Sequence, residues 1–152
     1  ARKAGIYGMI GGQNADIEAE EQAEPLTTEQ ILFIHANKTA ALIQSAMTIG
    51  ATLAGATDEE IAALELCAYN VGIAFQIQDD ILDVTSTEEV LGKPIHSDEK
   101  NQKTTYVTLL GIEQAQKRVE ELSNQAIDLL HQLSGENEYL EQLLIQLIHR
   151  DR

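Results

Sequence analysis

The nine residues from Phe75 to Asp83, FQIQDDILD, constrain this chain more than any other stretch. Helical periodicity leads into them. As a helix they stack Asp79 and Asp83 on one face, set Asp80 about 100° round, and place Gln76 one turn before Asp79 and Asp80. Apart from Gln78, the other positions through Val84, namely Phe75, Ile77, Ile81, Leu82 and Val84, are apolar on nearly every side. A helix that is apolar all round is buried inside a protein. One that also carries an amide and three carboxylates on a single strip lines a cavity, so the rest of the chain has to supply the other walls.

Carboxylates at this spacing repel one another by roughly 3 kcal/mol per pair, taking about 5 Å and an effective dielectric near 20. Three of them in a partly desolvated wall must be protonated or must hold cations. Oxygen ligands on one face suit a hard cation such as Mg2+, which takes one or two protein carboxylates and completes its shell with water and phosphate oxygens. The strip therefore reads as half of a magnesium and diphosphate clamp. A DDxxD pattern is more often an ordinary solvated face; the apolar flanks on both sides weigh against that here.

With 152 residues, 43% of them hydrophobic, the chain can bury one core, and a single domain is expected. A formal net charge of -15 argues against a nucleic-acid partner. An acidic protein acting on anionic diphosphates needs cations as intermediaries. Cys67 is the one cysteine and reads as a small core residue in a reducing compartment. No apolar run looks long enough to span a bilayer and no signal peptide is evident, so a cytoplasmic, non-membrane protein is expected.

Residues 1 to about 23 run as a helical pattern containing Gly5, Gly8, Gly11 and Gly12, and so many glycines imply close packing against another backbone. Thr27 with Gln30 has capping-box spacing, so a second helix is expected from there to about Leu53, with Gly55 beyond its end. Ile31, Ile34, Leu42, Ile43, Ala46 and Met47 form its core face. Lys38 interrupts it and from spacing alone belongs on the surface; His35 reads as structural. Thr57 with Glu60 caps a third helix, from about Asp58 to Val84, in which Gly72 thins the packing surface one turn before Gln76. A polar loop with Lys93, Lys100 and Lys103 follows, then a short buried helical turn from Tyr106 to Leu110 stopped by Gly111. Two amphipathic helices close the chain, from Glu113 to about Leu133 and from Tyr139 to Arg150. No zinc spacing, ExxH pair or Ser/His/Asp order is evident.

FQIQDDILD resembles the second aspartate-rich motif of the trans-isoprenyl diphosphate synthases, the all-helical enzymes that make geranyl, farnesyl and geranylgeranyl diphosphates. The resemblance continues through Gly11-Gly12-Gln13 with Asp16 and Glu18, Ile34-His35, Lys38-Thr39, Leu91-Gly92-Lys93 and Lys103-Thr104-Thr105-Tyr106. In order and spacing these fit the C-terminal half of a bacterial farnesyl-type synthase and cover essentially the whole chain. The family's first aspartate-rich motif, neighbouring arginine pair and isopentenyl diphosphate pocket lie upstream of the Gly-Gly-Gln segment and have no counterpart here. The expectation is an all-α isoprenoid synthase fold, antiparallel helices around a central cavity, with residues 1–152 forming the C-terminal part of one such domain.

The resemblance implies head-to-tail condensation of isopentenyl diphosphate with an allylic diphosphate, Mg2+ as cofactor, farnesyl diphosphate as product and a homodimer. Asp79, Asp80 and Asp83 would hold metal. Lys38, Thr39, Gln76, Lys93 and Lys103 would bind the allylic diphosphate, with Lys38, Thr39 and Gln76 closest to the reacting bond. Gln13, Asp16 and Phe75 would face the cavity; Phe75 reads equally as core. The alternatives are a synthase of geranylgeranyl or longer products, and a non-catalytic helical subunit or fragment that binds metal-diphosphate or a partner. Without the missing half, the 152 residues are expected to hold magnesium and diphosphate weakly and not to catalyse.

Overall fold

The fold is seen in a computed structural model, which describes residues 1–22, 24–85, 104–133 and 138–148. Helix α1 spans Met9–Glu20 and α2 Thr28–His35; a π-helical turn over Ala36–Ala40 joins α2 to α3, Ala41–Leu53. Then come α4, Asp58–Thr85, the short α5, Tyr106–Leu110, α6, Ile112–His131, and α7, Glu138–Ile148. No strand occurs among the described residues.

The caps expected from the sequence form. Thr27 Oγ1 accepts from the Gln30 N–H at 3.3 Å while Gln30 Oε1 accepts from the Thr27 N–H at 2.8 Å, a reciprocal capping box. Thr57 and Glu60 repeat it at the start of α4, at 3.2 and 2.9 Å. Beyond α3 the chain turns at Gly55, φ +80°, a left-handed conformation that costs glycine little. The connection from 54 to 57 is short, which folds α4 back along α3.

Helix α4 is the axis of the fold. Its 28 residues extend about 42 Å, and α2, the π turn, α3, α5, α6 and α7 all pack against it. Cys67, Val71, Ile73, Ala74, Ile77 and Ile81 are buried in the main core with Val119, Leu122, Ala126 and Leu130 of α6 and Leu144 and Ile148 of α7. Contrary to the sequence expectation, α4 is long and apolar enough, by length and composition, to cross a membrane. Here those side chains are instead the center of a helical core.

Three other expectations change. The first 23 residues are not one helix: Arg2–Ala4 form a 3-10 turn, the chain bends through Gly5 to Gly8, and α1 begins at Met9. Lys3 of that turn reaches Gln44 Oε1 at 2.7 Å and Glu65 Oε1 at 2.5 Å, tying the N-terminal segment to α3 and α4. Leu42 and Ala46 are exposed, because no described element covers that face of α3; Ile43 and Met47 are partly buried. The second helix is also not a uniform α-helix, since the π turn adds a residue to its winding at Asn37, Lys38 and Thr39.

That turn is gripped on two sides by glycines. A Cβ on Gly12 of α1 would lie 2.2 Å from the Lys38 backbone nitrogen, and one on Gly72 of α4 would lie 2.5 Å from the Ala40 Cα. Both are collisions with backbone, which cannot swing aside. By helix propensity alone Gly72→Ala gains about 1 kcal/mol; we expect instead a loss of about 1–3 kcal/mol from overpacking. Gly50→Ala, where an added Cβ meets nothing within 4 Å, is expected to gain up to about 1 kcal/mol. Urea denaturation of both variants checks the opposite signs.

Cys67 is fully buried, and burial raises its thiol from 9.0 to about 11. The native state keeps a proton there that the unfolded chain releases above pH 9, so this group lowers stability as pH climbs from 9 towards 11. Cys67→Ala is expected to flatten that slope in denaturation curves. The native thiol is expected to react with a disulfide reagent only as fast as the protein opens.

Candidate active site

The polar strip of α4 does line a cavity, of about 130 Å³. Gln76, Asp79 and Asp80 come from α4, Lys38 from the π turn, Ile31, Ile34 and His35 from α2, and Asp16 from α1. Leu26, just before α2, and Thr104 and Thr105, just before α5, complete the lining. Residues far apart in sequence thus meet because α2, the π turn and α5 all pack on one stretch of α4.

Lys38 is placed by the irregular winding rather than by helical spacing. Its side chain, 32% exposed, points inward and its Nζ lies 2.5 Å from Asp16 Oδ2. Asp16 is 5% exposed. A carboxylate this deep needs a charged or hydrogen-bonding partner, and the ammonium supplies it.

Asp80, in the same lining, is engaged from outside its own helix. Its Oδ2 accepts the backbone N–H of Tyr106 at 3.0 Å, and His35 Nε2 stands 4.0 Å from the same oxygen. His35 is 7% exposed and lines the cavity, so it is more than the structural residue its position suggested. Thr104 and Thr105 line the cavity as well, although the sequence marks them only as part of a motif. Their proximity to Asp80 depends on where α5 docks, which no local pattern shows.

The structure does not bring every expected residue here. Gln13, Thr39 and Phe75 are partly buried but do not line the cavity. Asp83 is 2% exposed and also lies outside the lining, one turn further along α4, so the strip does not present three aspartates to one cavity. Lys93, Lys100 and Lys103 lie outside the described residues.

Among the described residues the cavity therefore carries three carboxylates and one ammonium. No cluster of three or more Asp, Glu, His or Cys among them is arranged to enclose a metal. The adjacent pair Asp79 and Asp80 fits a different kind of binding. Mg2+ needs one or two protein carboxylates when water and phosphate oxygens fill its remaining positions, and two hard oxygen donors beside a lysine match that donor set.

A polyprenyl synthetase family model matches residues 3–144. This chain belongs to the polyprenyl synthetase family. It is 49% identical over 121 residues to a dimethylallyltranstransferase of Fischerella ambigua, covering 77% of this chain and 35% of that protein. To the farnesyl diphosphate synthase of Bacillus subtilis it is 40% identical over 148 residues, covering 97% and 49%. The geranyltransferase of Helicobacter pylori, solved in complex with magnesium and isoprenyl diphosphate, superposes with a TM-score of 0.79 at 36% identity, covering 97% of this chain and 48% of that one. The chain spans half or less of the length of these relatives, and its all-α fold is that of the isoprenyl diphosphate synthases.

If the Asp16 and Lys38 pair is what keeps Asp16 in its buried site, Lys38→Met should cost about 1–3 kcal/mol by leaving a desolvated carboxylate behind. Adding Asp16→Asn to that variant should recover part of the loss. A double-mutant cycle in thermal unfolding checks the coupling, which additive single effects would contradict.

Proposed function

We propose that this polyprenyl synthetase chain is the C-terminal part of a Mg2+-dependent prenyltransferase that condenses isopentenyl diphosphate with an allylic diphosphate to form farnesyl diphosphate. The observation that carries this reading is the single cavity that Lys38, Asp79 and Asp80 all line. An ammonium and paired carboxylates at one small polar site are what binding a metal-diphosphate requires. The names of the relatives support the substrates, and the magnesium and isoprenyl diphosphate bound by the Helicobacter pylori protein support the ligands.

In this reaction the allylic C1–O bond breaks and its electron pair leaves with the diphosphate. The double bond of isopentenyl diphosphate then attacks C1, and loss of a proton restores a double bond in the longer product. The difficult step is the departure of the diphosphate. Lys38 donates to its oxygens as their charge develops, and Asp16 holds the ammonium at its station so that little reorganisation is needed. Asp79 and Asp80 are the residues that would hold Mg2+, which supplies Lewis-acid stabilisation of the same oxygens.

The Gln76 amide, in the role the family resemblance gives it, shelters the cationic carbon without competing as a nucleophile; the resemblance gives the same role to Thr39, which stands outside the cavity lining. The family resemblance adds Lys93 and Lys103, which lie outside the described residues, as further partners of the diphosphate. The isopentenyl site and the other half of the clamp belong to the upstream part of the synthase. The complete enzyme is read as a cytoplasmic homodimer.

The test is conversion of labelled isopentenyl diphosphate and geranyl diphosphate with Mg2+, product length read by chromatography. We expect no turnover from the 152 residues alone; turnover by this chain by itself would overturn the half-site reading. In the complete synthase, Asp79→Ala should lower kcat on the order of 100-fold with little change in melting temperature. Undiminished kcat in that variant would contradict the clamp.

A further inference from the structure

The carboxylate of Asp80 is oriented from outside α4, and the group that orients it is itself aimed by a side chain. At the start of α5, Thr105 Oγ1 accepts the Thr108 N–H at 3.2 Å, and the Thr105 N–H donates to Thr108 Oγ1 at 2.8 Å. This capping box satisfies the amides of residues 105 and 108 and leaves that of Tyr106 directed away from the helix. The Tyr106 N–H meets Asp80 Oδ2 at 3.0 Å, across 26 residues of sequence.

The arrangement is rigid on both sides. Thr105 is 6% exposed and Tyr106 is 6% exposed within the main core, so the peptide between them has little freedom to rotate. Leu26 donates its backbone N–H to Thr104 Oγ1 at 3.4 Å, which fastens the same segment to the start of α2. With Oδ2 engaged by a fixed donor, the Asp80 carboxylate is restrained about its last torsion.

We infer that Thr105 is a positioning residue for Asp80: its side-chain cap aims the Tyr106 N–H at Asp80 Oδ2 and so sets the orientation in which Asp80 presents its carboxylate to the cavity. The inference rests on the reading of Asp79 and Asp80 as the metal-diphosphate ligands. Partners one step removed from a metal ligand fix its geometry and contribute to affinity without touching the ion.

The test compares the wild-type chain with Thr105→Ala, Thr105→Ser and Thr57→Ala. The last removes an equivalent cap at the far end of α4. Two quantities are read: Mg2+ binding by calorimetry in the presence of inorganic diphosphate, and hydrogen exchange of the Tyr106 amide by NMR. Thr105→Ala should weaken Mg2+ binding about ten-fold and speed the exchange. Thr105→Ser should restore both. Thr57→Ala should lower the melting temperature and leave both unchanged.

A Thr105→Ala protein that loses melting temperature as Thr57→Ala does, with metal binding and Tyr106 exchange unaltered, overturns the inference. If the wild-type chain binds no Mg2+ with diphosphate, the cation reading of the site fails. The exchange measurement then decides the positioning role alone: Asp80→Ala should speed Tyr106 exchange, and adding Thr105→Ala should speed it little further. Fully additive effects would overturn the role.

Discussion

Backbone packed directly on backbone, at the π turn of residues 36–40, is the contact on which the rest of the structure depends. Gly12 of α1 lies against the Lys38 nitrogen and Gly72 of α4 against Ala40, each where any side chain would collide. A π turn is a costly winding that needs its surroundings to hold it. The two glycines allow those surroundings to close in. As a result α1 and α4 both approach the turn, and the residue at its middle, Lys38, enters a cavity formed between them.

The charge arrangement follows from that geometry. Carrying Lys38 inward gives Asp16 an ammonium partner at a depth where a bare carboxylate would be strongly disfavoured. The same movement places the ammonium in the cavity of Asp79 and Asp80, which an anionic ligand could not approach without cations. The diphosphate binding proposed for this cavity and its tolerance of two adjacent carboxylates would therefore be aspects of one arrangement. Asp80 is further restrained by the Tyr106 amide.

Much of the fold was legible because it is written in local signals. The Thr27 and Gln30 box, the Thr57 and Glu60 box, and the stops at Gly55 and Gly111 all act within a few residues, and all appear where the sequence places them. The apolar face of α6 was equally plain, since burial of Ala115, Val119, Leu122, Ala126 and Leu130 needs only helical periodicity. The first segment was harder to read. Its glycines signalled close packing, but not that the chain would bend between residues 5 and 8 before α1 begins. Leu42 is exposed despite its place on the apolar face, because periodicity says which residues share a face, not whether anything covers it.

By itself the sequence determined the helices from α4 onward, the caps at Thr27 and Thr57, and the buried acidic strip on α4, for these are properties of residues close along the chain. Family membership was also legible, through motifs whose order survives without coordinates. Only the tertiary structure decided which strip residues share one cavity: Asp79 and Asp80 face it, while Asp83, one turn on, does not. It also decided that Lys38 points inward and that His35, Thr104 and Thr105 stand beside Asp80. The physical reason is that these placements depend on helix winding and on where α1, α2 and α5 dock on α4. Those are set by contacts between residues tens of positions apart, such as Lys38 with Asp16 and Tyr106 with Asp80, which no local pattern encodes.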